Sequence, residues 1–385
     1  MKILHIISSG GMYGAEAVIL NMSRTLNRSG HCSVLGVFAN SSNPNLQLHE
    51  AATREGIESY LIPCEGQIDR RVLALIRELA VRTDADIVHA HGYKADIYVY
   101  VALRGLCIPL VSTCHNWIDS DFLVSLYGRV DRFVLRKYTR VVAVSGEVKR
   151  RMLNAGVREE KIHLVRNGID LRLFDNAQPV LRGDSTSDSA LIVGLVGRLS
   201  REKGVDLFIR AAARVLVELP RTRFLVVGEG PDRDKLESLI DELKIRDSLQ
   251  ILGRRDDMPS IYASLDLMVS ASRQEGLPMA ILEGMASRLP LIATAVGEVP
   301  TVVLNGRTGV VVPIESVEAI SGGILELLRD TGKRERFGVA ARQFIEEEFS
   351  AERMTADYLR VYEAAGRTAK ARQFENIRPF GEKTR

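Results

Sequence analysis

The stretch LIVGLVGRLSREKG, residues 191–204, decides the fold class. Its first part is apolar without alternation, which marks a strand buried on both faces. Its second part is a strand-to-helix loop carrying two cations, Arg198 and Lys203. The unit recurs downstream as RFLVVGEG (223–230), LQILG (249–253), DLMVS (266–270), PLIAT (290–294) and GVVVP (309–313), with helical segments between. Upstream, ILHII (3–7) precedes AEAVILNMSRTLNRSG (15–30), in which Val18, Met22 and Leu26 recur at helical spacing and Gly30 stops the helix. Apolar runs at 33–38, 57–62, 86–89, 108–112 and 140–144 continue the alternation. Strands alternating with helices imply parallel sheets covered on both sides.

The pattern breaks at DLRLFDNAQPVLRGDSTSDSA (170–190), rich in Asp, Ser, Gly and Pro. The expected organisation is therefore an open α/β domain over 1–170, a linker over 171–190 and a second α/β domain over 191–349. A length of 385 residues suits two domains. Ligands bind such sheets at the carboxyl ends of strands, and two facing domains would enclose a cleft. The segment SAERMTADYLRVYEAAGR predicts an amphipathic helix over about 350–366, capped by Ser350, with Met354, Tyr358, Val361 and Tyr362 on one face. Residues 367–385 are polar and basic and are expected to be disordered.

A hydrophobic content of 46% and a charged content of 26% are ordinary for a globular protein. A net charge of +3 argues against a nucleic-acid partner. Cysteines stand at 32, 64, 107 and 114 with no CxxC pair, which fits a reducing cytoplasm. The apolar start is too short for a signal peptide, and no run approaches the roughly 18 residues of a membrane span.

Several loops could carry chemistry. SSGGMYGAE (8–16) places Gly10, Gly11 and Gly14 before a helix, where backbone amides can approach an anion. The alternative is a flexible turn. GRLSREKG puts Arg198 and Lys203 at one sheet edge, either as a diphosphate clamp or as two solvated charges; it is not a Walker A loop. VVGEGP offers Gly228 and Gly230, but Arg233 stands where a dinucleotide fingerprint needs its third glycine, so a Rossmann dehydrogenase is disfavoured. VHAHGY and STCHNW end two neighbouring strands. His89 and His91 are expected on opposite faces, His89 as a satisfied core histidine, and no zinc ligand set is expected. His115 lies just past a strand end, within reach of a ligand.

The stretch SRQEGLPMAILEGMAS (272–287) holds two carboxylates, Glu275 before Pro278 and Glu283 within an apolar helix. Pro278 suits the first helical position. At a rise of about 1.5 Å per residue the two carboxylates would stand roughly 10 Å apart, the span between two sugars of a nucleotide sugar. A carboxylate among apolar groups needs a partner or a ligand. Nearby arginines or backbone amides could equally satisfy both.

Taken together, GGMYGAE, VVAVSGEVKRRM (141–152), LVRNGID (164–170), GLVGRLSREKG, VVGEGP and the Glu275-x7-Glu283 pair resemble the retaining glycosyltransferases of family 4, over about residues 3 to 365. The resemblance implies the GT-B fold, two Rossmann-like domains facing a deep cleft with a C-terminal helix crossing back to the first. It implies that Arg198 and Lys203 hold the donor diphosphate and that Gly11 and Gly14 bring backbone amides close to the phosphate or the acceptor side. Glu283 would bind the ribose and Glu275 the transferred sugar, with Gly276 and Leu277 also binding the donor. His115 would lie beside that sugar, and Asn167 and Gly168 near the crossover. Catalysis would fall to Glu275, His115, Arg198 and Lys203, with no metal or other cofactor. The donor would be a hexose-type nucleoside diphosphate sugar, UDP before GDP, and the acceptor a glycan or lipid-linked molecule in surface polysaccharide or glycolipid assembly. A nucleotide-sugar 2-epimerase and a non-catalytic nucleotide-sugar-binding subunit are the alternatives. The loop Gly297-Glu298-Val299-Pro300-Thr301 departs from the Gly-Gly-x-Pro-Glu that the family often shows.

Between Tyr127 and Arg151 eight Lys or Arg stand against Asp131 and Glu147, a net +6. Within this stretch 127–140 predicts a basic helix with Val130, Phe133, Val134 and Tyr138 near one face. Such a helix either packs on its own sheet or lies on an anionic membrane, which would make the protein peripheral at the inner face.

Overall fold

The computed structural model describes residues 1–9, 11–12, 14–41, 44–66, 68–115, 130, 133–181 and 190–377. The chain divides into two compact units, Met1–Gly168 with the segment from Ala351 onward, and Ile169–Ser350.

The first unit is built on β1 (Lys2–Ile7), β2 (Cys32–Asn40), β3 (Glu58–Cys64), β4 (Ile87–His91), β5 (Leu110–Cys114), β6 (Arg140–Ala143) and β7 (Ile162–Leu164), in the order β3-β2-β1-β4-β5-β6-β7. Its pairings are parallel. From Ile3 to Ile7 every residue of β1 is buried, which is why the strand reads as a continuous apolar run. The helix Gly14–Arg28 buries Val18, Met22 and Leu26, as their spacing requires. The three-residue β7 escaped the sequence reading because IHL buries only its first residue and carries no periodic signal.

The second unit repeats the scheme with β8 (Ile192–Val196), β9 (Arg223–Val227), β10 (Leu249–Ile251), β11 (Leu267–Ser270), β12 (Leu291–Thr294) and β13 (Gly309–Val312), ordered β10-β9-β8-β11-β12-β13. In each sheet the strand order reverses at one place, between β1 and β4 and between β8 and β11. Open α/β sheets bind ligands at that reversal.

Two segments differ from expectation. Residues 170–181 are not a free linker: they pack on the second unit. The helix Arg172–Asp175 presents Asp175 to Arg342 (2.6 Å), and Val180 N–H donates to the buried Ser264 hydroxyl (2.9 Å). Residues 182–189 lie outside the described residues. The C-terminal helix, Ala351–Ile377, runs past the expected end. Residues 367–377 hold no Pro or Gly and are rich in strong helix formers, and Arg140 ties the start of that extension through Thr368 (2.9 Å). The remaining tail, 378–385, is outside the described residues. The helix packs against Gly14–Arg28 and buries Met354, Tyr358, Val361 and Tyr362 within the first unit. Among the described residues no helix is long and apolar enough to cross a membrane.

Candidate functional site

In the second unit the loops that follow β8, β11 and β12 converge at the carboxyl edge. The loop after β8 folds into a short 3-10 turn, Arg201–Lys203, ended by Gly204 in the left-handed region (φ 63°). A Cβ on Gly204 would lie 1.9 Å from Ala271 O, so only glycine lets this loop press against the end of β11. Gly228 and Gly230 serve the same close packing rather than a dinucleotide, since Cβ atoms there would meet Gly197 O at 1.9 Å and Leu199 O at 2.3 Å.

This packing sets Lys203 against Glu275. The Lys203 ammonium donates to Glu275 Oε1, and the Ser272 hydroxyl donates to the same oxygen (2.7 Å). Glu275 is nearly buried, its side chain 9% exposed, yet its second oxygen has no protein partner among the described residues. Glu283 repeats the arrangement. Tyr262 donates to Glu283 Oε2 (2.6 Å), and Oε1 has no partner among the described residues. Burial raises the Glu283 carboxyl above its ordinary range, opposed by the Tyr262 bond, and pushes the Tyr262 phenol well up. Neither open oxygen is sealed from solvent. Each glutamate is therefore anchored by one oxygen and offers the other. Arg198 is exposed in the same loop as Lys203, and the Lys203 stem lies over Gly197 (3.7 Å from a Cβ built there).

Pro278 takes the N-cap of the helix Met279–Ala286, one position before the expected N1. Its extended ψ of 123° ends the loop that carries Glu275, Gly276 and Leu277. Gly276 O accepts from Glu298 N–H (3.1 Å), and Leu277 is half-buried. The variant loop now has a physical reading. Gly297 is left-handed (φ 54°), and a Cβ on it would fall 2.0 Å from Glu275 O. Glu298 caps the helix Val299–Val302, and its carbonyl accepts from the Thr301 hydroxyl (2.7 Å). The loop supports the backbone of Glu275.

In the first unit the glycine loop follows β1 at the β1–β4 reversal, and His115 follows β5, next to β4. Gly11 is buried with φ 138°, and its amide donates to Ser9 Oγ (3.2 Å), so that amide is already engaged. Gly14 is exposed and opens the helix Gly14–Arg28. Gly10 lies outside the described residues. Asn167 and Gly168 stand at the unit boundary, where Asn21 donates to Gly168 O (3.3 Å).

The expectation that His89 and His91 face opposite ways is wrong. Residues two apart on a strand share a face, and the ring centroids are 4.0 Å apart. With His5 they bring three ligating nitrogens within 4.8 Å of one another, so a possible metal ligand set does exist by spacing. Hydrogen bonding decides its use. His89 is satisfied at both nitrogens, by Tyr362 and Thr113 (2.8 Å each). His91 lies 3.1 Å from His5 and 3.1 Å from His115. Of the six nitrogens in the set, only His5 Nε2 has no partner among the described residues. A metal would have to displace several of these bonds at residues that are 0–3% exposed. Burial holds His5 down to about 3 and His115 down to about 4, and His89 and His91 well below their ordinary value, so all four are neutral.

Two family models match the chain, one described as Glycosyltransferase Family 4 over residues 12–173 and one as Glycosyl transferases group 1 over residues 181–344. Alpha-D-kanosaminyltransferase of Streptomyces kanamyceticus is 31% identical over 281 residues, 68% of this chain and 72% of that protein. The chain belongs to glycosyltransferase family 4. N-acetyl-alpha-D-glucosaminyl L-malate synthase of Bacillus anthracis is 27% identical over 368 residues, 92% of this chain and 94% of the other. Among solved structures, HepE of Anabaena in complex with UDP and glucose matches with a TM-score of 0.79 at 21% identity, covering 94% of this chain and 100% of that one. The two Rossmann-like units are the GT-B fold, and this family 4 member is an enzyme, a glycosyltransferase.

The transferase carries its candidate residues in two groups. Arg198, Lys203, Glu275, Gly276, Leu277 and Glu283 gather at the reversal of the second sheet, while Gly11 and Gly14 stand at that of the first and His115 one strand further, after β5. Sequence reasoning missed the residues that hold the first group in place. Arg273 donates to Arg201 O (2.8 Å) and forks onto Asp206 (2.7 and 2.9 Å) and Glu315 (2.5 and 3.0 Å), tying the loop of Glu275 to the loop of Lys203. Its neighbours in sequence gave no sign, because both acids come from distant segments. Tyr262 and Gly297 were hidden for the same reason.

Proposed function

We propose that this glycosyltransferase moves a hexose-type sugar from a nucleoside diphosphate sugar to an acceptor hydroxyl with retention at the anomeric carbon. The observation that carries the reading is the pair of half-anchored carboxylates beside two cations. Glu283 and Glu275 each offer one oxygen to a hydroxyl, and charge-assisted bonds of that kind offset the desolvation of the carboxylate. Arg198 and Lys203 meet the diphosphate at the start of the helix Val205–Glu218, whose dipole adds positive potential. The bond from the anomeric carbon to the phosphate oxygen breaks, and its electron pair goes to that oxygen. The bond from the anomeric carbon to the acceptor oxygen forms on the same face, and the acceptor proton passes to the leaving phosphate. The cations stabilise the charge that develops there, so the reading needs no divalent metal. Glu275 orients the sugar and is not a nucleophile.

UDP is the first base to test and GDP the second. The relative named for L-malate places small hydroxy acids beside glycans and lipid-linked sugars in the acceptor screen. The chemistry is tested by product analysis with each donor and acceptor. Glu275→Gln should lower kcat at least a hundredfold while donor affinity changes little. Unchanged turnover would remove Glu275 from the reaction, and a 2-epimer formed without acceptor would replace transfer as the activity.

The reading places the enzyme in the cytoplasm, peripheral at a membrane. Of the basic helix expected over 127–140, residues 127–129 and 131–132 lie outside the described residues. Val134 and Tyr138 pack inward, whereas Val130 and Phe133 are exposed at 43% and 56%, with the Lys137 ammonium 5.3 Å from the Phe133 ring centroid. An exposed apolar pair beside a cation suits an anionic lipid surface. Co-sedimentation with anionic but not neutral vesicles, lost in Phe133→Asp, is expected. Equal binding to both, or to neither, would reject it.

A further inference from the structure

We propose that His5 and His91 are positioning residues that fix the tautomer of His115, so that His115 offers Nδ1–H as a hydrogen-bond donor at the edge of the first sheet. This rests on the reading of His115 as a donor-site residue.

Three imidazoles are joined end to end. His5 Nδ1 lies 3.1 Å from His91 Nε2, and His91 Nδ1 lies 3.1 Å from His115 Nε2. The two outer nitrogens, His5 Nε2 and His115 Nδ1, are buried and have no partner among the described residues. The strand register builds the line: His91 pairs with Ile7 on β1 and with Thr113 on β5, so β4 lies between the strand of His5 and the strand that leads to His115. A parallel branch locks the neighbouring ring, with His89 held by Thr113 and Tyr362 and Thr113 held in turn by Tyr358 (3.1 Å).

A neutral imidazole has one N–H and one lone pair. In a chain of three, the direction of one link therefore dictates the direction of the other. Only two arrangements exist. In the first, His5 Nδ1–H donates to His91 and His91 Nδ1–H donates to His115, which leaves an N–H at His115 Nδ1 and a bare lone pair at His5 Nε2. In the second every proton moves to the other nitrogen of its ring, and the unpaired N–H falls on His5 Nε2. His5 is 0% exposed, in the middle of β1, where no ligand can arrive. His115 lies past the end of β5 and is half-buried. A buried N–H without an acceptor is rarer in proteins than an unsatisfied acceptor, and leaving one costs about 1–3 kcal/mol. Both outer nitrogens are sealed in this structure, but only the first arrangement puts the N–H on a half-buried ring at a strand end, where a ligand oxygen that reaches the ring can accept from it, and leaves only a lone pair in the core. The apolar burial that keeps all four rings neutral prevents a third, doubly protonated state.

The test reads the tautomers directly. Histidine ring nitrogens are labelled with 15N in the full chain, and two-bond nitrogen–proton correlations report which nitrogen carries the proton. Resonances are assigned by substituting the seven histidines one at a time. In the wild type, His5, His91 and His115 should all be Nδ1–H at pH 7. In His91→Phe, which keeps a ring of similar size, His115 should lose that state, and donor KM should rise about tenfold with a smaller change in kcat. Nε2–H on His115 in the wild type would overturn the chain, and this measurement needs no variant to fold. Nδ1–H retained in folded His91→Phe would overturn it as well. If the chain is seen but His115→Phe leaves donor KM and kcat unchanged, the donor-site reading of His115 fails and the claim that the chain serves the ligand fails with it.

Discussion

Arg273 makes its five bonds with a side chain only 17% exposed, and two of its partners are carboxylates that hold its guanidinium well above the usual range. The strongest support is the fork onto Asp206, which Lys could not reproduce because an ammonium has no fork. Arg273→Lys should therefore reduce kcat about tenfold or more by loosening Glu275, while the melting temperature falls by only a few degrees, equivalent to about 1–2 kcal/mol. Steady-state kinetics beside a thermal melt separates the two effects, and equal kinetics in the variant would show that the tie does not position Glu275. Tyr262→Phe makes the complementary prediction. It removes the one protein bond to Glu283, so the carboxyl is raised further and offers less charge to a hydroxyl at neutral pH. Donor KM should rise severalfold with kcat nearly unchanged. Gly297→Ala asks for a left-handed alanine with its Cβ 2.0 Å from Glu275 O. It should lower turnover more than any other substitution of the 297–301 loop, although Gly297 would touch no substrate.

At the scale of elements, the helix Ala351–Ile377 completes the first unit although it follows the second in sequence. Met354, Tyr358, Val361 and Tyr362 are 0–2% exposed. Burying four such side chains contributes roughly 6–12 kcal/mol, comparable with the whole stability of a domain at about 5–15 kcal/mol. A chain ended at Ser350 should therefore lose the folded first unit while the second still melts cooperatively; calorimetry showing both transitions intact would refute this. The elements themselves were readable because strands buried on both faces spell continuous apolar runs and helices spell a repeat near four. Arg198, Lys203 and Glu275 were readable because each sits in a loop after such a run, and Glu283 because it is a carboxylate inside an apolar helix. The histidine chain was not. It joins β1, β4 and the end of β5, and a one-dimensional pattern does not show which strands are neighbours. The misplacement of His91 came from a different source, a period of two applied with the wrong parity. The extension of the last helix to Ile377 was missed because its charged composition resembles a solvated tail.

Over the whole molecule, the histidines are distributed unevenly. All seven stand in the first unit, at 5, 31, 49, 89, 91, 115 and 163, and none lies between Ile169 and Ser350. Burial depresses six of them below 6.5, His5 to about 3, His115 to about 4, His89 and His91 well down, and His31 and His163 in the same direction. The unfolded chain then binds more protons than the folded one between roughly pH 4 and 6.5, so stability falls as pH falls through that window. Each such histidine adds a slope approaching about 1.4 kcal/mol per pH unit. Scanning calorimetry from pH 7 to pH 5 should lower the transition of the first unit and leave that of the second nearly fixed, whereas parallel shifts would contradict the assignment. The central claim, that the half-anchored carboxylates and the two cations form a nucleoside diphosphate sugar site, is tested most directly by thermal shift with UDP, GDP, ADP, CMP and NAD, each with and without magnesium. A ligand at a hundred times its Kd stabilises by about 2.7 kcal/mol. One diphosphate should raise the melting temperature without magnesium, and Arg198→Ala should abolish the rise. A shift with NAD alone, or with none of the five, would contradict the account.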